Sequence, residues 1–209
     1  MNIHEAVMYV NSKGAHKKQL KYDWMFENKY SLILMASAGH KKVLDVGCAY
    51  GTTSFILKRA KMNVTALDPM PELHSKELFE EEDIKFLNKN IETDQIHRTY
   101  DLIVFTDVVE HLNYNPLPVM KKLYNLLETG GEIILTTPSK ENDFLCEGRY
   151  GDLVNWRQIP HFTEYKFEDA HHHTYYLWEL RDLLEEAGFT ITFENYMQNE
   201  NLWFVKAKK

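Results

Sequence analysis

The spacing of apolar and polar positions along the chain predicts an alternation of short strands and amphipathic helices. Apolar runs at Val43–Val46, Asn63–Asp68, Ile84–Leu87, Tyr100–Phe105 and Glu132–Thr137 predict five strands, the last stopped by Pro138. Tyr100–Phe105 is nearly continuous in its hydrophobicity, the mark of a strand buried on both faces at a central parallel position. Helical spacing fills the intervals at Thr52–Ala60, Pro71–Glu82 and Pro116–Glu128, the last closed by Gly130-Gly131.

Two helices are predicted before the first strand. Ile3–Val10 is short and amphipathic and is broken by Asn11-Ser12-Lys13-Gly14. Trp24–Ala38 is rich in aromatic and aliphatic residues, ends at Gly39, and reads as a helix packed on the sheet rather than as a pocket lid. Toward the other end, Leu177–Ala187 is helical and stops at Gly188. Phe189–Tyr196, a turn through Gln198–Asn201, and Leu202–Lys208 form a closing hairpin. Between these regions, Ser139 to about Tyr176 is a long connection with many aromatics and histidines and little periodicity. Connections of that length are usually functional.

The strand at Val43–Val46 carries Asp45 and runs into Gly47-Cys48-Ala49-Tyr50-Gly51, after which Thr52 and Thr53 open a helix. Strand, glycine loop and helix form the opening unit of a nucleotide-type α/β sheet, because glycine lets backbone turn sharply and lie close to a ligand. A dinucleotide fingerprint would want glycine at Ala49 and Thr52, and this chain lacks both. A nicotinamide oxidoreductase is therefore the more distant reading.

Asp-x-Gly-x-x-x-Gly, from Asp45 to Gly51, resembles the first motif of the class I S-adenosylmethionine (AdoMet)-dependent methyltransferases. That family usually has glycine where this chain has Ala49. AdoMet carries no pyrophosphate and is cationic at its sulfonium and amine, so an acid at the strand end suits it. The resemblance extends over residues 40–209. It implies an α/β fold: a Rossmann-like, doubly wound, seven-stranded sheet with an antiparallel last strand, in an α/β/α sandwich. It also implies that Asp68 accepts from ribose hydroxyls, although an Asp-Pro turn with Pro69 explains the local sequence equally well. By the same resemblance Asn90 contacts the adenine amine and Ile91 packs beneath the ring. Gly47, Cys48, Ala49, Gly51, Pro69 and Thr106 complete the cofactor set, whose product is S-adenosylhomocysteine.

Two segments bear on the acceptor. Asp107-Val108-Val109-Glu110-His111, read at helical spacing, would place both acids and the histidine on one face. It resembles the acid-x-x-Glu-His of the ubiquinone-pathway O-methyltransferases and of the small-RNA 2′-O-methyltransferases, whose side chains can bind a divalent cation beside the substrate hydroxyl. The other reading is a helix-capping pair, with Asp107 accepting from the Glu110 amide and Glu110 reaching back. The second segment is His171-His172-His173-Thr174-Tyr175-Tyr176, followed by Glu179-Leu180 through Gly188-Phe189. Many small-molecule methyltransferases of this class, including the type 11 kind, have a similar ending. That frame puts His172 on the family's histidine, as general base or ligand, and leaves His171 and His173 as solvated loop residues. The aromatic residues of the connection (Phe144, Tyr150, Trp156, Phe162, Tyr165, Phe167) suit a sugar or planar acceptor, or a loop folded over its own cluster.

The chain has 209 residues, 44% hydrophobic and 26% charged, which fits one globular domain of ordinary size. The expected layout is N-terminal helices over 1–40, a cofactor-binding half over 41–137, a substrate-side insertion over 138–176, and the last helix and hairpin over 177–209. A net charge of -7, with acids spread through the connection, argues against a phosphodiester substrate. Cys48 and Cys146 match no zinc or redox spacing and read as free thiols. No cationic-plus-apolar leader or membrane-length apolar run is visible, so the expected location is the cytoplasm, as a monomer or homodimer.

The resulting expectation is a methyltransferase that O-methylates a small-molecule hydroxyl (sugar, quinone or phenol). His111 and His172 are catalytic, and Asp107, Glu110, His111 and His172 hold a magnesium, manganese or zinc ion if one is used. An RNA 2′-O-methyltransferase and an AdoMet-binding protein without turnover are the alternatives.

Overall fold

The structure is a computed structural model that describes residues 1–13, 26–142 and 148–209. Gly14, Trp24, Phe144 and Cys146, named above, lie outside the described residues. Seven strands form one sheet: β1 (Lys42–Val46), β2 (Asn63–Asp68), β3 (Lys85–Asn88), β4 (Tyr100–Thr106), β5 (Leu127–Pro138), β6 (Thr190–Met197) and β7 (Leu202–Lys208). Their order is β3-β2-β1-β4-β5-β7-β6. β1 pairs parallel to β2, and β2 parallel to β3. β7 runs antiparallel to both of its neighbours, as expected of the last strand. By contact the chain divides into two compact units, Met1–Ile96 with Tyr100–Val104, and His97–Thr99 with Phe105–Lys209.

In the first unit, α1 (Ile3–Lys13), α2 (Glu27–Ala36), α3 (Thr52–Arg59) and α4 (Lys76–Glu81) accompany β1 to β3. Val43 and Leu44 of β1 and Ala66 of β2 are completely buried, as are Phe55 and Leu57 of α3. α1 continues through Asn11-Ser12-Lys13, where a break was expected. The reason is local. Asn11 Nδ2 donates to the Val7 carbonyl (2.8 Å) and Ser12 Oγ to the Tyr9 carbonyl (2.7 Å), so both side chains bond back along the helix instead of competing with it. α4 is shorter than the expected Pro71–Glu82, because Ser75 is its cap and accepts from the Leu78 amide (3.2 Å).

In the second unit, α5 (Leu117–Leu126) and α6 (Leu177–Glu186) accompany β5, β6 and β7. α5 ends at Leu126, short of the expected Glu128, and Leu127 is already extended at the start of β5. α6 buries Leu180, Leu183 and Leu184 completely, and Gly188 at φ 104 takes the left-handed turn that stops it. The connection 148–176 is partly a core of its own. Trp156 is 1% exposed and Ile159 2%, whereas Phe162 and Phe167 stay on the surface. No helix among the described residues is long and apolar enough to cross a membrane.

Candidate active site

In the first unit the glycine loop turns on three left-handed residues, Gly47 (φ 72), Ala49 (φ 42) and Gly51 (φ 87). Ala49 is the one with a side chain, and a Cβ in this region costs about 1–2 kcal/mol. Compensation comes from its amide, which donates to Asp68 Oδ2 at 2.9 Å. Gly51 has a second reason to be glycine: a Cβ there would sit 2.3 Å from Phe79 Cε1.

The loop amides are spent inward. Gly47 and Cys48 donate to the Leu67 carbonyl (2.7 and 3.2 Å), and Gly51 to the Cys48 carbonyl (2.7 Å). A pyrophosphate cradle needs such amides pointing at the ligand. In this loop the Ala49 amide goes to a carboxylate, Asp68, at the end of the next strand. Asp68 ends β2, is 4% exposed, and is fixed by the Ala49 amide on one oxygen and the Met70 amide (2.8 Å) on the other. The Asp-Pro turn and the buried acid are therefore the same feature.

Asp45 is 1% exposed and accepts from Ser54 Oγ at 2.5 Å, tying β1 to α3. Burial pushes its carboxyl up to about 6, against the pull of the Ser54 hydroxyl. Burial likewise pushes the Cys48 thiol up, which leaves it a packed thiol and not a nucleophile. Lys29, unnoticed in the sequence, is 3% exposed on α2 beneath the Phe26 ring (4.2 Å to its centroid), and its charge acts on Asp45. Asn90 Oδ1 accepts from the Glu92 amide (2.8 Å) in a tight turn, and Ile91 is 5% exposed beside it. Pro69 is half-buried.

The second unit holds the acids and histidines. Thr106 is half-buried at the end of β4. The segment after it is not an α-helix. Asp107 takes φ 55, and only Val109–His111 form a 3-10 turn. Asp107 Oδ1 accepts from Thr136 Oγ1 (2.6 Å) and its amide donates to the Thr136 carbonyl (2.9 Å). Glu110 Oε2 accepts from Thr137 Oγ1 (2.9 Å). Two fully buried threonines at the end of β5 thus hold the two acids, a role the sequence did not announce.

Glu110 is completely buried, and its Oε1 has no hydrogen-bond partner. Burial, with the charge of Asp107 behind it, pushes its carboxyl up to about 7. Glu110, His111 and His171 each offer a ligand atom, and these atoms all lie within 4.8 Å of one another. Asp107 and His172 are not in that set. His111 Nδ1 lies 2.9 Å from Asp169 Oδ1, an ion-pair distance that is off the axis of a linear N–H bond. Burial opposes the charged His111 ring, but Asp169 and Glu110 outweigh it and the ring's pKa is raised.

The three consecutive histidines have three different fates. His171 is half-buried, edge-on to His111 with ring centroids 4.6 Å apart. His172 is completely buried; its Nε2 is 3.1 Å from the Glu168 carbonyl, its Nδ1 has no partner, and burial lowers its pKa. His173 is 1% exposed between the Tyr150 carbonyl and Glu179 Oε1, both at 3.1 Å. His171 and His173 are therefore not solvated loop residues. The backbone explains the register. The His172 amide donates to the Glu110 carbonyl (2.7 Å), and Gly148 passes so close that a Cβ on it would lie 2.0 Å from the His171 carbonyl oxygen.

A profile of a methyltransferase domain family matches residues 17–193. Among curated proteins, the chain is similar to the ubiquinone biosynthesis O-methyltransferase of Erwinia tasmaniensis, 28% identical over 150 residues. That match takes in 69% of this chain and 59% of the relative, so the chain spans little more than half of that protein's length. Among solved structures, it is similar to the 1,6-didemethyltoxoflavin-N1-methyltransferase of Burkholderia thailandensis, determined with 1,6-didemethyltoxoflavin and S-adenosylhomocysteine bound. There the TM-score is 0.66 at 18% identity, covering 87% of this chain and 76% of that one. The magnesium protoporphyrin IX methyltransferase of Synechocystis PCC 6803, with bound AdoMet, gives a TM-score of 0.65 at 16% identity, covering 93% and 85%.

Proposed function

Because the chain belongs to the methyltransferase domain family, within the class I AdoMet-dependent methyltransferases, we propose that it transfers the methyl of AdoMet to a hydroxyl of a small molecule such as a sugar, quinone or phenol. Residues 1–209 act on this reading as one methyltransferase domain, monomeric or homodimeric and cytoplasmic, where Cys48 stays a free thiol. When bound, AdoMet supplies an electrophilic methyl on a sulfonium, with S-adenosylhomocysteine as the departing product. Asp68 accepts from the ribose hydroxyls, with both oxygens already aimed by backbone amides. Asn90 and Ile91 hold the adenine. Gly47, Cys48, Ala49, Gly51 and Pro69 line the remainder, and Asp45 stiffens the loop through Ser54.

The observation that carries the choice of a hydroxyl is the group Glu110, His111 and His171. An alcohol must lose its proton as its oxygen attacks, and these side chains are proton acceptors held together by the fold. Glu110 Oε1, buried without a partner, makes the group fit a magnesium, manganese or zinc ion. Glu110, His111 and His171 would hold it, and a cation there would lower the pKa of the acceptor hydroxyl. Asp107 steadies the turn through Thr136. His172, kept neutral by burial, is the second candidate base.

The test is incubation of the purified protein with AdoMet and separate sets of phenols, hydroquinones, sugars, amines and short RNAs, with and without chelator. Methyl ethers of small molecules support the reading. Methyl on nitrogen or on RNA alone overturns the choice of acceptor. Tight AdoMet binding with no product from any set would make the protein a binding module.

A further inference from the structure

The cation reading of the Glu110–His111–His171 group leaves open what fixes the ring of His111. An imidazole can present either nitrogen to a metal, and the nitrogen it presents is set by what the other one bonds. In this protein Nδ1 of His111 lies 2.9 Å from Asp169 Oδ1, an ion-pair contact off the N–H axis, so the carboxylate acts on that nitrogen through its charge. Asp169 is half exposed, yet the backbone that carries it is pinned. The preceding residue, Glu168, donates its amide to Asn113 Oδ1 (2.7 Å), receives Arg149 Nε and a second Arg149 nitrogen on its carboxylate (3.0 and 2.7 Å), and has its carbonyl 3.1 Å from His172 Nε2. Asn113 is itself buried two residues beyond His111. The turn that bears His111 and the segment that bears Asp169 are therefore held together by contacts other than their own ion pair.

We propose that Asp169 is a positioning residue for a divalent cation: it holds Nδ1 of His111 so that Nε2 is the nitrogen offered beside Glu110 and His171. The inference rests on the cation reading given above and adds a fourth side chain, one that does not touch the cation. A carboxylate behind a ligating histidine fixes its tautomer and raises its basicity, and losing such a partner typically weakens metal affinity about 10–100-fold.

The test is titration of metal-free protein with cobalt(II) followed by its visible absorption, and with manganese(II) followed by electron paramagnetic resonance. Wild type, Asp169→Ala, Asp169→Asn and Glu110→Gln are compared, with AdoMet affinity and thermal midpoint as fold controls. Asp169→Ala is expected to weaken both metals about 10–100-fold with an altered cobalt spectrum, at unchanged AdoMet affinity. Asp169→Asn keeps the shape but not the charge and should weaken both metals in the same direction. If wild type binds neither metal, the cation reading fails and the inference with it. If wild type binds and Glu110→Gln does not, while Asp169→Ala and Asp169→Asn keep full affinity and spectrum, the positioning role alone is overturned.

Discussion

Glu110 is a carboxylate whose ionisation the fold resists, and Glu110→Gln measures that resistance. Its side chain is completely buried on a 3-10 turn, one oxygen satisfied by Thr137 and the other by nothing. Burial, then repulsion from Asp107, raises the carboxyl from 4.5 to about 7. Below the unfolded value the group is protonated in both states and the folded protein keeps its full stability. Between 4.5 and about 7 the unfolded chain releases the proton while the folded one retains it, so stability falls as pH rises and the loss is complete above the folded value. At 1.36 kcal/mol per pKa unit, this difference amounts to about 3 kcal/mol. Glutamine keeps the shape and an oxygen for Thr137 but does not ionise. Its amide, buried without a partner, adds a penalty of about 1–3 kcal/mol that is the same at every pH. The quantity to read is therefore the change in the wild-type-to-variant difference between the two pH limits. Urea unfolding of both proteins in chelator, at a pH below 4.5 and at one above 7, should show the variant gaining about 3 kcal/mol on wild type across that interval. A difference that does not move with pH would refute the burial argument.

Three further substitutions follow from the geometry. Asp68→Ala removes the acceptor of the Ala49 and Met70 amides and two charged acceptors for ribose; calorimetric titration should show AdoMet affinity down at least about 100-fold, and unchanged affinity would remove Asp68 from the cofactor site. Gly51→Ala forces a Cβ into φ 87 and to within 2.3 Å of the Phe79 ring, so chemical unfolding should show a loss of about 2 kcal/mol or more; a variant as stable as wild type would contradict the loop packing. Gly148→Ala collides with the backbone of His171 and His172, which cannot swing aside as a side chain can. Metal titration should lose affinity while AdoMet titration does not, and equal retention of both would show that Gly148 does not set the histidine register.

The parts of this protein legible in its sequence are those decided by neighbours in the chain. The buried strands, the glycine loop, Asp68 at the end of β2 and the glycine stop at Gly188 follow from apolar runs and backbone chemistry within a few residues. The parts that were not legible depend on distant partners. Asp107 leaves helical geometry because Thr136, on β5, takes both its amide and its carboxylate. The histidine beside Glu110 is His171 and not His172 because the His172 amide is used by the Glu110 carbonyl and Gly148 passes against the His171 carbonyl. Three identical side chains in a row carry no internal signal of which one faces the site. Asp169 was one of several acids in an aperiodic connection, and its distance to His111 is a product of the fold alone.

Transfer of the AdoMet methyl to oxygen is tested most directly by locating the methyl in the product. AdoMet labelled with heavy carbon in its methyl, incubated with the protein and a reacting hydroxyl acceptor, can be followed by nuclear magnetic resonance of the product. A single labelled methyl with the shift of a methyl ether is expected, formed in step with S-adenosylhomocysteine. A labelled methyl on nitrogen or carbon, or S-adenosylhomocysteine formed without a methylated acceptor, would contradict it.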